Sequence, residues 1–235
     1  MEMGAGYYGY DLPISTYFWG MLIFVFLYRT GEGLLLVEAP LFMQAPLAKG
    51  GLGLTLVQKG TLDGLIGTFV SIAGGLVGGY FVSRVGLKRG LLFLAMALNV
   101  PHLCYIILSH AVSPTSPLPL WSIYALVSVE KFGYSFGFIG NMLYMMQQIA
   151  PGKYKMTHYA FATALMNLVL VPTQSVSGYL ADHLGYKSFF IFVLVASIPS
   201  IIAAWKAPFP NPPDVSGEGE GEGEPPPSTA QPAPA

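Results

Sequence analysis

Residues 79–88 read Gly-Tyr-Phe-Val-Ser-Arg-Val-Gly-Leu-Lys, and residues 178–187 read Gly-Tyr-Leu-Ala-Asp-His-Leu-Gly-Tyr-Lys. The two stretches begin 99 residues apart and are identical at four of their ten positions. In such a stretch the first glycine lets two helices approach closely, the second reverses the chain, and the cations meet a helix end or lipid headgroups. Each stretch therefore predicts a tight turn between packed helices. The signature residues are Gly79, Ser83, Arg84, Gly86, Lys88 and Arg89 in the first turn, and Gly178, Asp182, Gly185 and Lys187 in the second.

The composition around these turns is typical of a membrane protein. Apolar residues make up 53% of the 235 residues and charged residues only 10%, whereas a soluble domain carries roughly 25% charged residues. Runs that are apolar on every face exclude an outer-membrane barrel, whose strands alternate apolar and polar residues. Six stretches of about 20 residues with few charges predict an all-α polytopic protein with six membrane-spanning helices. They lie at residues 17–43, 61–82, 88–109, 120–147, 157–180 and 186–207.

The spacing between the two turns extends to other features of the sequence. Pro101 and Pro199 lie within the third and sixth predicted spans, 98 residues apart, and charged pairs lie within the first and fourth spans. Residues 17–109 and 120–207 are therefore predicted to be two units of three helices each. Because three is an odd number of crossings, the second unit enters the bilayer from the opposite side. The result is a 3+3 inverted repeat, the plan of many secondary transporters.

The distribution of cations predicts the orientation. One side of the predicted topology collects six Lys and Arg residues and the other side three, and cations in short loops are retained in the cytoplasm. Both termini are therefore expected in the cytoplasm. Residues 1–16 predict an interfacial segment, and the Pro-, Gly- and Glu-rich residues 208–235 predict a disordered tail. That tail is either a plain solvated terminus, which we favour, or a segment that binds a partner.

Two charged pairs are predicted to lie near the middle of the bilayer. At a rise of 1.5 Å per residue, Arg29 lies about 18 Å from the cytoplasmic end of the first span, and Glu130 lies about 15 Å from the outer end of the fourth. A charge at that depth costs on the order of 3 kcal/mol and normally pairs or faces a cavity. We expect Arg29 to pair with Glu130, and Glu32 with Lys131, as substrate or coupling groups. The alternative is a structural ion pair that only holds the two helices together.

Further polar residues of the fourth span suit a sugar ligand. Tyr134 offers a ring face for stacking, and Asn141 and Gln147 offer amides to hydroxyl groups, so these three are also candidate binding residues. The alternative for each is packing, because rings spaced by two residues scatter around a helix. Glu38 is expected at an interfacial or packing position. Asp63 is expected to cap the first helical turn of its span.

The first turn resembles a known signature. Residues 79–89 are similar to the loop signature of the major facilitator superfamily, Gly-x-x-x-Asp-Arg-x-Gly-Arg-Lys, with Ser83 in place of the usual Asp and Leu87 in place of Arg. The resemblance covers roughly residues 17–207. Within the superfamily, three segments resemble the C-terminal half of AmpG-type muropeptide permeases, at residues 28–33, 129–138 and 155–160.

This resemblance implies a secondary transporter that imports muropeptide or amino-sugar solutes with protons across a bacterial inner (cytoplasmic) membrane. Such permeases have about twelve spans or more, so the chain resembles only the second six. A second six-helix bundle is therefore implied as a partner, either a separate first half or another copy of this chain in a homodimer. A function of another class also stays open: a six-span scaffold or sensor that does not transport, or a remnant or fragment of a larger permease.

The sequence argues against several other function classes. It has no Gly-x-Ser-Gly or His-x-x-x-His pattern for hydrolysis and no nucleotide-binding loop, so we expect neither an enzyme nor a primary pump. A single cysteine, Cys104, and four scattered histidines predict no disulfide, metal site or cofactor. The formal net charge of −1 leaves no basic patch for nucleic acid. The expected ligands are the lipid bilayer, a small solute and protons.

Overall fold

The protein is described by a computed structural model that covers residues 14–150 and 154–210. Within these ranges the chain is almost entirely helical, as the composition predicts. Residues 1–13 of the predicted interfacial segment and residues 211–235 of the predicted tail lie outside the described part. The described helices are α1 (Ile14–Leu27), α2 (Thr30–Gln44), α3 (Leu56–Gly60), α4 (Gly67–Val85), α5 (Leu87–Asn99), α6 (Leu103–Ala111), α7 (Leu120–Tyr144), α8 (Lys155–Leu168), α9 (Leu170–Ala196) and α10 (Ile198–Trp205).

In the described ranges, consecutive helices join into five continuous helical stretches rather than the six separate spans predicted from the sequence. The fourth stretch, which begins with α7, is long enough to cross a membrane, but its charged and small polar residues lower its mean hydropathy. The predicted fifth and sixth spans form one stretch of 51 residues. Four stretches are both long and apolar enough to cross a membrane, namely Tyr17–Gln44, Leu56–Val85, Leu87–Ala111 and Lys155–Trp205.

Two glycines turn the chain in the same way. Gly86, between α4 and α5, has φ 82° and ψ 145°, and Gly185, within α9, has φ 70° and ψ 156°. Residues with a Cβ atom rarely adopt such positive φ values. Each glycine is the eighth residue of its signature stretch. The long stretch from Lys155 to Trp205 is therefore interrupted at the point that corresponds to the α4–α5 turn.

Close packing of α4 on α7 depends on two glycines of α4. A Cβ atom on Gly74 would lie 2.6 Å from the carbonyl oxygen of Phe132, and one on Gly78 would lie 2.7 Å from that of Phe136. A Cβ atom on the neighbouring Gly75 would meet no atom within 4 Å. The α4–α7 contact and the α2–α9 contact are among the most extensive helix contacts of the described residues. They hold in place the helices that surround the cavity described below.

The chain after α10 crosses one end of the helix bundle. Tyr144 Oη donates to the carbonyl oxygen of Pro208 at 2.6 Å, and the Phe209 ring lies edge-on to Tyr144 with 5.3 Å between centroids. Lys88 Nζ lies 6.0 Å from the Phe209 centroid, and Pro208 packs on Gly20 of α1. Gly20 of α1, the α4–α5 turn, the end of α7 and the first residues of the predicted tail therefore meet at the same end.

We expect Gly74→Ala to destabilise the protein and Gly75→Ala to leave it unchanged or slightly more stable. The methyl group added at Gly74 meets a backbone oxygen of α7, and such overpacking costs about 1–3 kcal/mol. Both substitutions raise helix propensity equally, so Gly75→Ala is a matched control. Thermal melting of the purified protein in detergent measures the difference. Equal melting temperatures of the two variants would contradict the close α4–α7 contact.

Candidate functional site

A cavity of about 250 Å³ lies between α2, α4, α6 and α7. Its charged side chains are Glu32 of α2, Asp63 of the π-helical turn Thr61–Ile66, and Glu130 and Lys131 of α7. Charged groups on apolar helices are costly unless they pair or line such a cavity. The arrangement is therefore that of a cavity with four charged side chains within an apolar protein. The other lining residues are Leu35, Leu36, Ala39, Pro40, Met43, Ser71, Tyr105 and Tyr134.

Arg29 and Glu32 form a buried ion pair beside this cavity. Arg29 Nε donates to Glu32 Oε2 at 2.6 Å, and Arg29 Nη2 pairs with Glu32 Oε1. The two residues are only 6% and 3% exposed. The guanidinium also reaches Tyr134 Oη at 3.4 Å and Asn167 Oδ1 at 3.3 Å, and its carbon lies 5.0 Å from the centroid of the Phe138 ring. Arg29 therefore joins the start of α2 to α7 and α8.

The predicted pairing of Arg29 with Glu130 is wrong. Glu32 follows Arg29 by three residues, so its carboxylate lies on the same side of the chain about one helical turn away, and it occupies the guanidinium in a two-point contact. Glu130 instead has the Tyr105 hydroxyl as its hydrogen-bond donor, with 3.5 Å between Tyr105 Oη and Glu130 Oε2. No ion pair of Glu130 is found in residues 14–150 and 154–210.

The predicted pairing of Glu32 with Lys131 is also wrong. Lys131 Nζ lies 3.1 Å from Asp63 Oδ1, and Lys59 Nζ lies 2.7 Å from Asp63 Oδ2. Gly67 makes room for the lysine, because a Cβ atom at that position would lie 2.9 Å from Lys131 Cδ. The Asp63 carboxylate therefore forms ion pairs with both Lys59 and Lys131 at the edge of the cavity.

The role predicted for Asp63 as a first-turn cap is wrong as well. The helical stretch begins at Leu56, before the predicted start at residue 61, and Thr55 and Gln58 form a reciprocal capping box there. Asp63 thus lies two turns inside the stretch, within a π-helical turn. Such turns add one residue to a helix and occur frequently at functional sites. The extra residue changes which side chains of this stretch face α7.

A helix interruption positions Arg29. The chain leaves helical geometry between α1 and α2, where Arg29 has φ −110° and ψ 15°. Ser200 Oγ of α10 donates to the Tyr28 carbonyl oxygen at 2.6 Å, and Asn99 Nδ2 of α5 donates to Ser200 Oγ at 3.0 Å. Gly31 allows this contact, since a Cβ atom there would collide with the Ser197 hydroxyl. The Ser200 hydroxyl, which Asn99 holds in place, therefore satisfies the Tyr28 carbonyl oxygen that the interruption leaves without a backbone partner.

The structure brings together four of the predicted site residues and leaves two apart. Glu32, Glu130, Lys131 and Tyr134 line the cavity, with Arg29 directly behind Glu32. Asn141 is buried against α8, where its Nδ2 donates to Met166 Sδ at 2.8 Å. Gln147 lies in the π-helical turn Met145–Ile149 after α7 and does not line the cavity.

The signature residues lie at the turns rather than at the cavity. Ser83 Oγ donates to the Tyr80 carbonyl oxygen at 2.7 Å, and the Arg84 guanidinium carbon lies 5.1 Å from the Tyr80 centroid. Most of the remaining signature side chains are exposed, as the turn positions predict: Lys88, Arg89, Asp182 and Lys187.

Three residues of the site were not identified from the sequence. Tyr105 and Asn167 are single polar residues in apolar helices, and no spacing or motif distinguishes them from packing positions. Lys59 lies just before residue 61, the predicted start of the second span, and the sequence therefore predicted it to be a cation of the preceding loop. Its position four residues before Asp63 is a salt-bridge spacing, which would have indicated the pair had the helix start been placed correctly.

We expect Arg29→Met and Glu32→Gln each to lower membrane abundance and thermal stability strongly. Removal of one partner leaves a buried unpaired charge, which costs about 3–5 kcal/mol. The double variant Arg29→Met/Glu32→Gln removes both charges and should recover most of the loss, a non-additivity that a double-mutant cycle measures. Additive losses in the double variant would show that the two side chains do not depend on each other.

Comparison with curated proteins finds relatives over most of the chain. A Rickettsia conorii protein named "Putative transporter AmpG 4" is 27% identical over 188 residues, which are 77% of this chain and 41% of that protein. The "Anhydromuropeptide permease" of Escherichia coli is 23% identical over 195 residues, which are 81% of this chain and 38% of the permease. The chain thus spans about two fifths of the length of these relatives.

A comparison with protein families agrees with the turn signature. Residues 14–233 match the family described as Major Facilitator Superfamily. This superfamily consists of membrane transporters, which are generally not enzymes, and its apolar helices agree with the fold described above. The resemblance predicted from residues 79–89 is therefore confirmed, and the chain belongs to the Major Facilitator Superfamily.

Proposed function

We propose that this chain is a six-helix half of a secondary transporter that imports muropeptide or amino-sugar solutes together with protons. The observation that carries the proposal is the cavity in which Glu32, Asp63, Glu130, Lys131 and Tyr134 converge within apolar helices. The names of the relatives, which include a muropeptide permease, support the solute class. In this proposal the chain catalyses no reaction, and it lies in a bacterial inner membrane.

Matched contacts support six spans arranged as a 3+3 inverted repeat. Gly31 of α2 packs against Ser197 at the α9–α10 junction, and Gly133 of α7 packs against Pro101 at the α5–α6 junction. These contacts join the first span to the sixth and the fourth span to the third, as a two-fold relation between the units requires. In this arrangement the stretch Lys155–Trp205 crosses the membrane twice, with Gly185 at its turn.

The orientation follows from the cations at one end of the bundle. Gly20 of α1, the α4–α5 turn and the residues after α10 meet there, together with Arg84, Lys88, Arg89 and Lys206. Cations near span ends are retained in the cytoplasm. We therefore place this end, and with it both termini, on the cytoplasmic side.

We expect cysteines placed at Ser83 and Ser116 to react from opposite sides of the membrane. Both residues are exposed, and they lie in the loops after the second and third predicted spans. The native Cys104 is buried and is replaced by alanine as the background. An impermeant thiol reagent applied to intact cells should label position 116 and spare position 83. Labelling of both positions from one side would contradict the six-span topology.

A second six-helix bundle completes the site in this proposal. The side chains of Lys131 and Asp63 are 26% and 30% exposed, so their charges would face lipid in an isolated half, at a cost of several kcal/mol. Alternating access also requires two bundles that move about a site between them. The partner is a separate first half or a second copy of this chain.

The cavity offers complementary groups to a solute that carries sugar rings and carboxylates. Lys131 can exchange its contact with Asp63 for a solute carboxylate, because the Lys59 ammonium remains to balance the aspartate. Tyr134 stacks on Phe138 at 18° with 5.8 Å between centroids, which holds its hydroxyl near Arg29. The solute therefore meets one cation that is free to move and one hydroxyl that is fixed.

Proton coupling is assigned to Glu130 in this proposal. The other two cavity carboxylates, Glu32 and Asp63, have cation partners, whereas Glu130 has a hydroxyl donor from Tyr105. A carboxyl without a cation partner in an apolar site gains from binding a proton. When Lys131 moves from Asp63 to the solute carboxylate, the negative charge near Glu130 increases and favours proton binding, and the return of Lys131 to Asp63 favours proton release.

We expect Glu130→Gln to abolish proton-driven uptake of labelled anhydro-muropeptide and to keep counterflow, because exchange requires no net proton movement. Membrane vesicles that hold this chain with a candidate first half measure both modes, and vesicles with this chain alone test for self-assembly. Lys131→Met serves as the contrast, since loss of a solute contact should weaken both modes together. Equal loss of both modes in Glu130→Gln at normal abundance would assign Glu130 to solute binding instead.

A further inference from the structure

Glu38 is a buried carboxyl that the cavity does not use. It lies in α2 and is 2% exposed, and its Oε1 atom has no hydrogen-bond partner among the described residues. The residues of α2 that line the cavity include Leu35, Leu36 and Ala39, and Glu38 is absent from the lining. A buried carboxylate without a partner is strongly unfavourable. The group therefore needs either a cation or a proton.

The helix that faces Glu38 is α9. A Cβ atom on Gly178 would lie 3.5 Å from Glu38 Oε1, so the backbone of α9 lies directly against the carboxyl. Asp182, one turn further along α9, and Tyr186 are the titratable groups there that interact electrostatically with Glu38. His183 and Lys187, which lie in the same part of α9, are exposed. The next helix, α10, carries no titratable residue. In the described part of the chain Glu38 makes no ion pair.

We propose that Glu38 and Asp182 form a proton-binding site at the contact between α2 and α9, separate from the cavity. Glu38 holds the proton as a neutral acid against Gly178, and the exposed Asp182 exchanges it with water. A metal ion is a poorer occupant, because it requires several ligands and the described residues hold no group of three or more His, Cys, Asp or Glu side chains. A proton on the Glu38 carboxyl needs no such set of ligands.

The bound proton controls how closely α2 and α9 pack. Loss of the proton puts a charge next to the α9 backbone and the Asp182 carboxylate, and the repulsion separates the two helices at this point. Because α2 also carries Glu32 and much of the cavity lining, that separation changes the shape of the cavity. The proton site stands on the contacts of Glu38 alone, whereas its effect on transport rests on the proposed function.

Labelling with dicyclohexylcarbodiimide tests the site in this chain, since this apolar reagent modifies protonated carboxyls in apolar surroundings. Mass spectrometry should find Glu38 modified several-fold more than Glu32 and Asp63, which form ion pairs with Arg29 and with Lys59 and Lys131 and serve as internal controls. The modification of Glu38 should fall as the pH is raised. Modification of Glu38 no greater than that of Glu32, or protection of Glu38 by sodium ions, would overturn the proposal.

A pair of variants tests the same claim without the reagent. Glu38→Gln keeps the shape of the neutral acid, so its abundance and melting temperature should match the wild type and its infrared spectrum should lack the band of a buried protonated carboxyl. Glu32→Gln is the contrast, because it leaves Arg29 unpaired and should destabilise the protein. Destabilisation of Glu38→Gln to the same degree would show that Glu38 acts as an anion. None of these readouts measures transport, so their failure would leave the transporter proposal intact.

Discussion

The arrangement of the helices around the cavity depends on the buried ion pair of Arg29 and Glu32. A guanidinium inside an apolar bundle is tolerable only with a fixed counter-charge, and Glu32 supplies it from the same side of the chain. The pair lies at the interruption between α1 and α2, which exposes the Tyr28 carbonyl oxygen. Ser200, held by Asn99, satisfies that oxygen. The interruption therefore joins α10 and α5 to the first helical stretch through the Tyr28 carbonyl oxygen, and Arg29 reaches α7 through Tyr134.

Glycine determines how closely the helices pack around this pair. Lipid tails are as apolar as leucine side chains, so membrane helices associate through close contact and hydrogen bonds rather than through exclusion of water. Gly31 brings α2 against the α9–α10 junction, Gly74 and Gly78 bring α4 against α7, and Gly133 brings α7 against Pro101. These contacts position α2 and α7, both of which line the cavity. The same contacts relate the two halves of the chain in the inverted arrangement that we propose.

The acidic residues of the membrane region fall into two groups by their partners. Glu32 and Asp63 are neutralised by cations, which makes them parts of fixed or exchangeable ion pairs. Glu130 has a hydroxyl donor and Glu38 has the glycine backbone of α9 beside it. In our proposals these two carboxyls carry protons. Glu130 faces the cavity, and Glu38 lies at the contact between α2 and α9. Proton binding would then act on the solute site and on the packing of α2 at the same time.

The sequence by itself determined the class of the protein, its family and the positions of its turns. These properties rest on local features: apolar content over about 20 residues, and the need for glycine where φ is positive, as at Gly86 and Gly185. Only the tertiary structure decided which charges pair. The helix start at Leu56 and the π-helical turn after it rotate Asp63 toward Lys131, and the interruption before α2 turns Arg29 toward Glu32. Ion pairing depends on ångström-scale rotation and register between helices, and residue spacing along the chain does not specify these quantities.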